Sequence, residues 1–214
     1  MSKLFLDTLD NKRLEVFKKL KDFSQYGVLG GGTALALQIG HRKSYDFDFF
    51  VNEPISKYIW KKVKDTFGAN SYKTLDTQDQ LDVVTQNGVN LTFFLDDYKS
   101  MFPVIKSNDI NLMSIQDIAC NKAFIQGRRP KWRDYVDLYF ILKENHVTLE
   151  KLIINCLKKF GNDFSKKLFL EQLIYWNDIY NYRIEYVDKD INPEVIKRFL
   201  LEEVKKVAKF GSVD

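Results

Sequence analysis

Along the first half of the chain the apolar positions change period several times. Leu14, Phe17, Leu20 and Phe23 recur every third residue between lysines, the spacing of a helix with one apolar face. Gly27-Val28-Leu29 is a short apolar run that predicts a buried strand. Gly30-Gly31-Gly32 breaks it, and residues 33–39 predict a helix stopped by Gly40. From Ser44 to Val51 the period drops to two, with Asp46, Asp48 and Phe50 on one face and Phe47, Phe49 and Val51 on the other, which is a strand. Pro54 fits the first turn of a helix reaching about residue 67. Two strands over residues 81–86 and 89–95 flank Asn87-Gly88, a strong hairpin signal.

Beyond Pro103 the alternation disappears. Ser114 followed by Asp117 resembles a capping box and predicts a helix to about Gln126, closed by Gly127. Further helical segments are expected at about 131–143, 148–160, 164–181 and 193–209, the last opened by Asn192-Pro193. The pattern therefore predicts an α+β domain over residues 1–108 followed by a helical bundle over 109–210. Gly211-Ser212-Val213-Asp214 reads as an appended tail.

Composition narrows the class. With 45% hydrophobic residues among 214, the chain can bury a core, which excludes global disorder. A net charge of +4 permits phosphate contacts without being a nucleic-acid fingerprint. Cys120 and Cys156 lack metal-ligand spacing and suit a reducing cytoplasm, and His41 and His146 are too few for a histidine-rich metal site. No apolar run approaches the roughly 18 residues of a membrane helix, and the N-terminus has no cleavable apolar segment, so a cytoplasmic protein without a membrane partner is expected.

Two segments carry candidate chemistry. A strand that enters glycines and then a helix N-terminus offers free backbone N–H groups and a positive dipole end, which suits a phosphate; a plain turn is the alternative. The glycines let a ligand approach the backbone, yet the run is neither a Walker loop nor a dinucleotide fingerprint. Asp46 and Asp48 share one strand face with Cα atoms about 7 Å apart, close enough to converge on Mg²⁺ or Mn²⁺. The alternative is a strand whose polar face is simply solvated. Phe47, Phe49, Phe50 and Val51 argue for burial on more than one side, where two like charges need a cation between them.

Gly-Gly-Thr-Ala-Leu-Ala-Leu, then Gly40-His41-Arg42-Lys43-Ser44, then Asp46-Phe47-Asp48-Phe49-Phe50 resembles the AbiEii/AbiGii toxin-like family of minimal nucleotidyltransferases. That family is part of the polymerase-β-type superfamily. The downstream pattern is also similar: Asp117-Ile118-Ala119-Cys120-Asn121-Lys122, Arg128, then Arg133-Asp134-Tyr135-Val136-Asp137-Leu138-Tyr139. The resemblance spans about residues 27–142. It implies a minimal nucleotidyltransferase mixed sheet with flanking helices, followed by the helical bundle, with the active site in the cleft between them. It also implies a triphosphate held by Gly31 and Gly32, with Thr33, Arg42 and Ser44 nearby, and Mg²⁺ on Asp46 and Asp48. Lys122 would contact the nucleotide phosphates, and Asp137 with Asp134 would complete the pocket. From residue type alone Lys122 would be an ordinary solvated lysine, and Lys122→Ala is expected to spare stability.

One departure stands out. Enzymes of the superfamily commonly carry a third carboxylate on a later strand, whereas Val89-Asn90-Leu91-Thr92-Phe93-Phe94 offers Asn90 and Thr92; Asp82 and Asp96 are the stand-ins. The leading expectation is Mg²⁺-dependent transfer of a nucleoside monophosphate from an NTP to an acceptor, a tRNA or other RNA end, in a toxin-like protein with an antitoxin partner. The alternatives are a nucleotide- or RNA-binding or partner-binding protein that has lost catalysis, and nucleotidyl transfer to a small molecule such as an antibiotic. His41-Arg42-Lys43 either steers a nucleotide or RNA end or is a solvated loop. Arg128-Arg129-Pro130-Lys131-Trp132-Arg133 either grips RNA with Trp132 stacking or is solvated. Tyr175, Trp176, Tyr180 and Tyr182 are expected in the bundle core.

Overall fold

The structure, a computed structural model, describes residues 3–126, 128 and 131–210, without the side chains of 209 and 210. Gly127, Arg129, Pro130 and the tail lie outside the described residues. The chain divides into two compact units, Met1–Ser114 and Ile115–Asp214. Residues 109–114 go with the first unit because Leu112 bridges both Leu29 and Ile105, with Ile110, Leu112 and Met113 buried.

In the first unit, α1 (Asn11–Phe17) is capped by Asp10, whose side chain accepts from the Arg13 amide, and a 3-10 turn follows at Leu20–Phe23. Strand β1 (Gly27–Gly30) runs straight into α2 (Gly31–Ile39). Then come β2 (Asp46–Val51), α3 (Lys57–Phe67), β3 (Tyr72–Asp76), β4 (Gln80–Val84) and β5 (Asn90–Leu95). The five strands form one mixed sheet in the order β1-β2-β5-β4-β3, in which β2 and β5 are parallel and the other pairs antiparallel.

Alternation sorts the sheet into two faces. Phe47, Phe49, Val51, Leu81, Val83, Leu91 and Phe93 are buried. They meet Phe17, Phe23 and Phe67; the Phe49 and Phe93 rings stack at 4.7 Å and Phe23 lies 5.6 Å from Phe67. The opposite face carries Asp46, Asp48, Asn90, Thr92 and Asp82. The hairpin turns at Thr85–Val89, with Gly88 at φ +80° and the Thr85 amide donating to the Val89 carbonyl at 2.9 Å.

Two elements differ from expectation in this unit. The helix after Pro54 begins only at Lys57, behind Ser56, because the Ile55 amide is taken by the Gln78 carbonyl in an extended link. Strand β3 was not expected; four of its five residues are exposed, so it lacks apolar alternation.

The regular elements described in the second unit are helices: α4 (Ile115–Gln126), α5 (Trp132–Lys143), α6 (Leu149–Phe160), α7 (Lys166–Leu173) and α8 (Pro193–Phe210). Thr148 and Ser165 cap α6 and α7 through their side-chain oxygens. The segment expected as a helix over 164–181 stops at Leu173, and the chain is irregular from there to Pro193. Among the described residues no helix is long and apolar enough to cross a membrane.

Candidate active site

The site in the first unit starts from a steric fact. Gly31 stands at the first position of α2 with φ +63°, and a Cβ there would overlap the Asp48 carboxylate oxygen. Register explains the proximity, since Gly30 pairs with Asp48 across β1 and β2. Only glycine combines that backbone conformation with that approach. A Cβ on Gly32 would meet the Arg42 guanidinium at 2.5 Å, the end of a long side chain that can shift, so the steric demand at Gly32 is weaker than at Gly31. The three peptide N–H groups that open α2 thus lie beside a carboxylate and a guanidinium.

The supporting contacts are local. Thr33 Oγ1 donates to the Asp46 carbonyl and lies 2.8 Å from Ser44 Oγ, tying the first turn of α2 to the start of β2. Thr33, His41, Arg42 and Ser44 are all buried. The basic turn is therefore built into the fold: Arg42 Nη1 donates to the Lys43 carbonyl at 2.9 Å, and the Lys43 ammonium donates to the Asp7 carbonyl. This corrects the solvated-loop alternative.

Asp46 and Asp48 are half-buried on the same face of β2. Asn90, paired with Asp46 on the parallel neighbour β5, donates its Nδ2 to Asp46 Oδ1 at 3.1 Å. Thr92 stands opposite Asp48, and Asp82 opposite Thr92 on β4, so Asp82 shares this face two strands away, about 10 Å by strand spacing. Gln80 Nε2 donates to both Asp82 oxygens at 2.9 and 3.0 Å. Asp96 follows the far end of β5, its amide donating to the Val51 carbonyl, so it sits at the opposite end of β2 from Asp46 and drops out as a stand-in.

No group of three or more His, Cys, Asp or Glu side chains among the described residues could hold a metal ion. Two carboxylates against a Cβ-free backbone nevertheless fit Mg²⁺, which keeps several waters and shares substrate phosphate oxygens rather than demanding an all-protein cage.

In the second unit Lys122 is buried, not solvated. Its Nζ lies 2.7 Å from Asp134 Oδ1 and 2.6 Å from Asp137 Oδ2, one turn apart on α5. The sequence foresaw the two aspartates on one helix face but not that they clamp this lysine. The burial replaces the expectation that Lys122→Ala spares stability with an expected loss, because removal strands two carboxylates with little access to water. A second ion pair was missed altogether: Lys159 Nζ meets Asp117 Oδ1 at 3.0 Å with both side chains fully buried.

The sequence matches the family described as nucleotidyl transferase AbiEii toxin, type IV TA system, over residues 16–208. The chain belongs to the AbiEii nucleotidyl transferase toxin family. Nucleotidyl transfer is the reaction class of that family, and the toxin half of a toxin–antitoxin system is its setting. A protein of Aquifex aeolicus (strain VF5) with no assigned function is 31% identical over 187 residues, spanning 83% of this chain and 86% of the relative. MenT4, a nucleotidyltransferase toxin of Mycobacterium tuberculosis, shares the fold at a TM-score of 0.63 and 15% identity over 93% of this chain and 81% of its own. A candidate nucleotidyltransferase of Helicobacter pylori does so at a TM-score of 0.60 and 23% identity, over 94% and 96% of the two chains.

The aromatic expectations for this AbiEii chain need correction. Trp132 is 3% exposed, with its ring 4.8 Å from Tyr182 and 5.7 Å from Tyr135, so it is core and not a stacking platform. Arg128 is exposed with its guanidinium 3.9 Å over the Phe124 ring. Tyr180, expected in the core, is 92% exposed, and Tyr175 is exposed as well. Both lie in the irregular chain after α7, which explains why a helical face failed to predict them. Tyr135 instead buries its ring and donates its hydroxyl to the Tyr175 carbonyl at 2.6 Å, with the Gln172 carbonyl 3.0 Å away.

Proposed function

We propose that this AbiEii chain moves a nucleoside monophosphate from an NTP to the end of an RNA, a tRNA being the first candidate, with Mg²⁺ or Mn²⁺ on Asp46 and Asp48. The observation that carries this reading is the contact of Gly31 with Asp48, which brings helix N-terminal amides and a carboxylate pair to one spot. The amides of Gly31, Gly32 and Thr33, together with Arg42, bind the triphosphate, and buried Ser44 and Thr33 fix the turn that presents them. The metal, when bound, supplies charge neutralisation on the phosphate oxygens of the reacting nucleotide.

In the transfer an acceptor hydroxyl oxygen forms the new bond to the α-phosphorus, the bond to pyrophosphate breaks, and the hydroxyl proton passes to a base. Asp82 takes that proton in this account, as the further carboxylate on the same strand face, with the Gln80 amide orienting it. Lys122, clamped by Asp134 and Asp137, is framework of the helical unit in this reading. An NTP-dependent reaction of this kind belongs in the cytoplasm, where an antitoxin partner would restrain it.

One observation favours a second reading. Asn90 and Thr92 occupy the strand positions beside the carboxylates, which suits a protein that binds nucleotide without transferring it. Incubation with each labelled NTP, Mg²⁺ or Mn²⁺ and total cellular RNA decides between them. Transfer of label to an RNA species by the wild type and not by Asp48→Asn supports the enzyme. NTP binding without labelled RNA supports the second reading.

A further inference from the structure

The first unit carries a face that the glycine turn and the Asp46–Asp48 strand do not use. Helix α3 buries Ile59, Val63 and Phe67 one turn apart, which leaves Lys57, Trp60, Lys61 and Lys64 along its other side. Lys57, Lys61 and Lys64 are exposed and Trp60 is half-buried. Beside them lies β3, the edge strand, with Lys73 reaching over the same indole. The Lys64 and Lys73 ammonium groups stand 5.4 and 5.2 Å from the Trp60 ring centroid. Tyr58 and Tyr72 are exposed too but belong to other faces, Tyr58 on the far flank of α3 from Trp60 and Tyr72, paired with Val84, on the sheet face opposite Lys73. The acidic residues on these two elements are Asp65 and Asp76, and Asp76 pairs with Lys73.

An indole set among ammonium groups on a lysine-rich face is an arrangement that holds a single nucleic-acid strand: lysines track phosphates and the ring meets a base. A protein strand adding to the edge is less suited. β3 is interrupted by a register shift between Lys73 and Leu75 and carries Lys73 and Asp76, devices that discourage edge pairing. The exposed large aliphatic side chain here is Leu75 alone among the described residues of α3 and β3, too little for an apolar interface.

We infer that the α3–β3 face, centred on Trp60 with Lys57, Lys61, Lys64 and Lys73, is a docking surface for the body of an RNA substrate, holding single-stranded or unpaired nucleotides apart from the reacting end. The inference rests on the RNA-acceptor reading above.

The test is equilibrium binding of a labelled single-stranded oligoribonucleotide and of bulk tRNA to the full chain over a series of salt concentrations. The variants are Lys61→Ala/Lys64→Ala, Trp60→Ala, Trp60→Phe and, as a control, Lys62→Ala, whose ammonium is taken by Asp22 at 3.3 Å. The double lysine variant should bind at least about fivefold more weakly, and its log-affinity against log-salt slope should fall by about 1.4, near 0.7 for each lost phosphate contact. Trp60→Ala should lose about fivefold or more, with Trp60→Phe recovering most of it, and Lys62→Ala should match the wild type. In labelled-NTP transfer the lysine variant should raise KM for RNA and leave kcat unchanged.

Wild-type affinity and salt slope in the double lysine variant would overturn the inference. So would intact RNA binding combined with loss of self-association or of antitoxin capture, which would give the face to a protein. The two readings separate cleanly. A wild-type chain that binds RNA through these lysines but transfers no nucleotide upholds this face and defeats the enzyme. Transfer that is indifferent to all four variants defeats this face alone.

Discussion

Each unit carries a pair of aspartates one step apart on a regular element, and the two pairs are treated in opposite ways. On α5, Asp134 and Asp137 are turned inward around the Lys122 ammonium at 2.6–2.7 Å, in a site with little solvent. On β2, Asp46 and Asp48 stay half-buried on an open strand face, Asp46 receiving an amide from Asn90 and Asp48 lying against a glycine backbone. The first pair is neutralised by a residue of the chain itself, so its removal is felt as lost stability. The second keeps carboxylate oxygens toward a surface where peptide amides also point, so on the proposed reading its removal should cost ligand binding. On the proposed reading, identical side chains serve as framework in one place and as a site in the other, according to what the fold lays beside them.

The largest effect that can break this contrast is on the helical pair. Lys122→Ala should cost about 3–5 kcal/mol in urea unfolding, since it leaves two carboxylates buried without their cation. Asp46→Asn, by comparison, should leave the unfolding free energy unchanged or slightly higher without metal. An unaffected Lys122→Ala protein would dissolve the distinction.

Next is Asp82→Asn, which should slow transfer about a hundredfold at neutral pH while NTP affinity stays at the wild-type level. Equal single-turnover rates would remove Asp82 as the base. Gly31→Ala should destabilise by about 1–3 kcal/mol, through its positive φ and the clash with Asp48, and should abolish NTP binding. A folded Gly31→Ala chain with normal NTP affinity would separate the glycine from the carboxylates.

Much of the site was legible because its signals are local. The glycine run, the change to a period of two and the Asp46–Asp48 spacing all lie within about two dozen residues, and the structure places them together. What escaped depends on distant partners. Lys122 looks like any surface lysine until α5 brings two carboxylates to it, and Lys159 gains its meaning from Asp117, far away in sequence. Strand β3 escaped because an exposed edge strand has no buried face to impose alternation on Tyr72-Lys73-Thr74-Leu75-Asp76. The helix expected through residue 181 ended at Leu173 because the aromatic residues beyond it suggest an amphipathic face without forming one; Tyr180 points to water and Tyr182 to Trp132.

The smallest expected effect concerns pH and sharpens the framework side of the contrast. Burial pushes the Tyr135 phenol above the usual tyrosine range. Its folded-state value is raised, so its contribution is complete below about pH 10, where the unfolded phenol is still protonated, and is lost as the pH rises beyond that. Unfolding free energy should decline between about pH 10 and 11, and less steeply in Tyr135→Phe. Identical slopes would show that this buried hydroxyl does not contribute.

The claim that Asp46 and Asp48 with the Gly31 turn form the ligand site is tested most directly by thermal unfolding with Mg²⁺ and a non-hydrolysable NTP analogue. The wild-type Tm should rise by the equivalent of about 2.7 kcal/mol at a hundredfold excess over Kd, and the metal-dependent part of that rise should vanish in Asp48→Asn. An equal metal-dependent rise in Asp48→Asn would contradict the account.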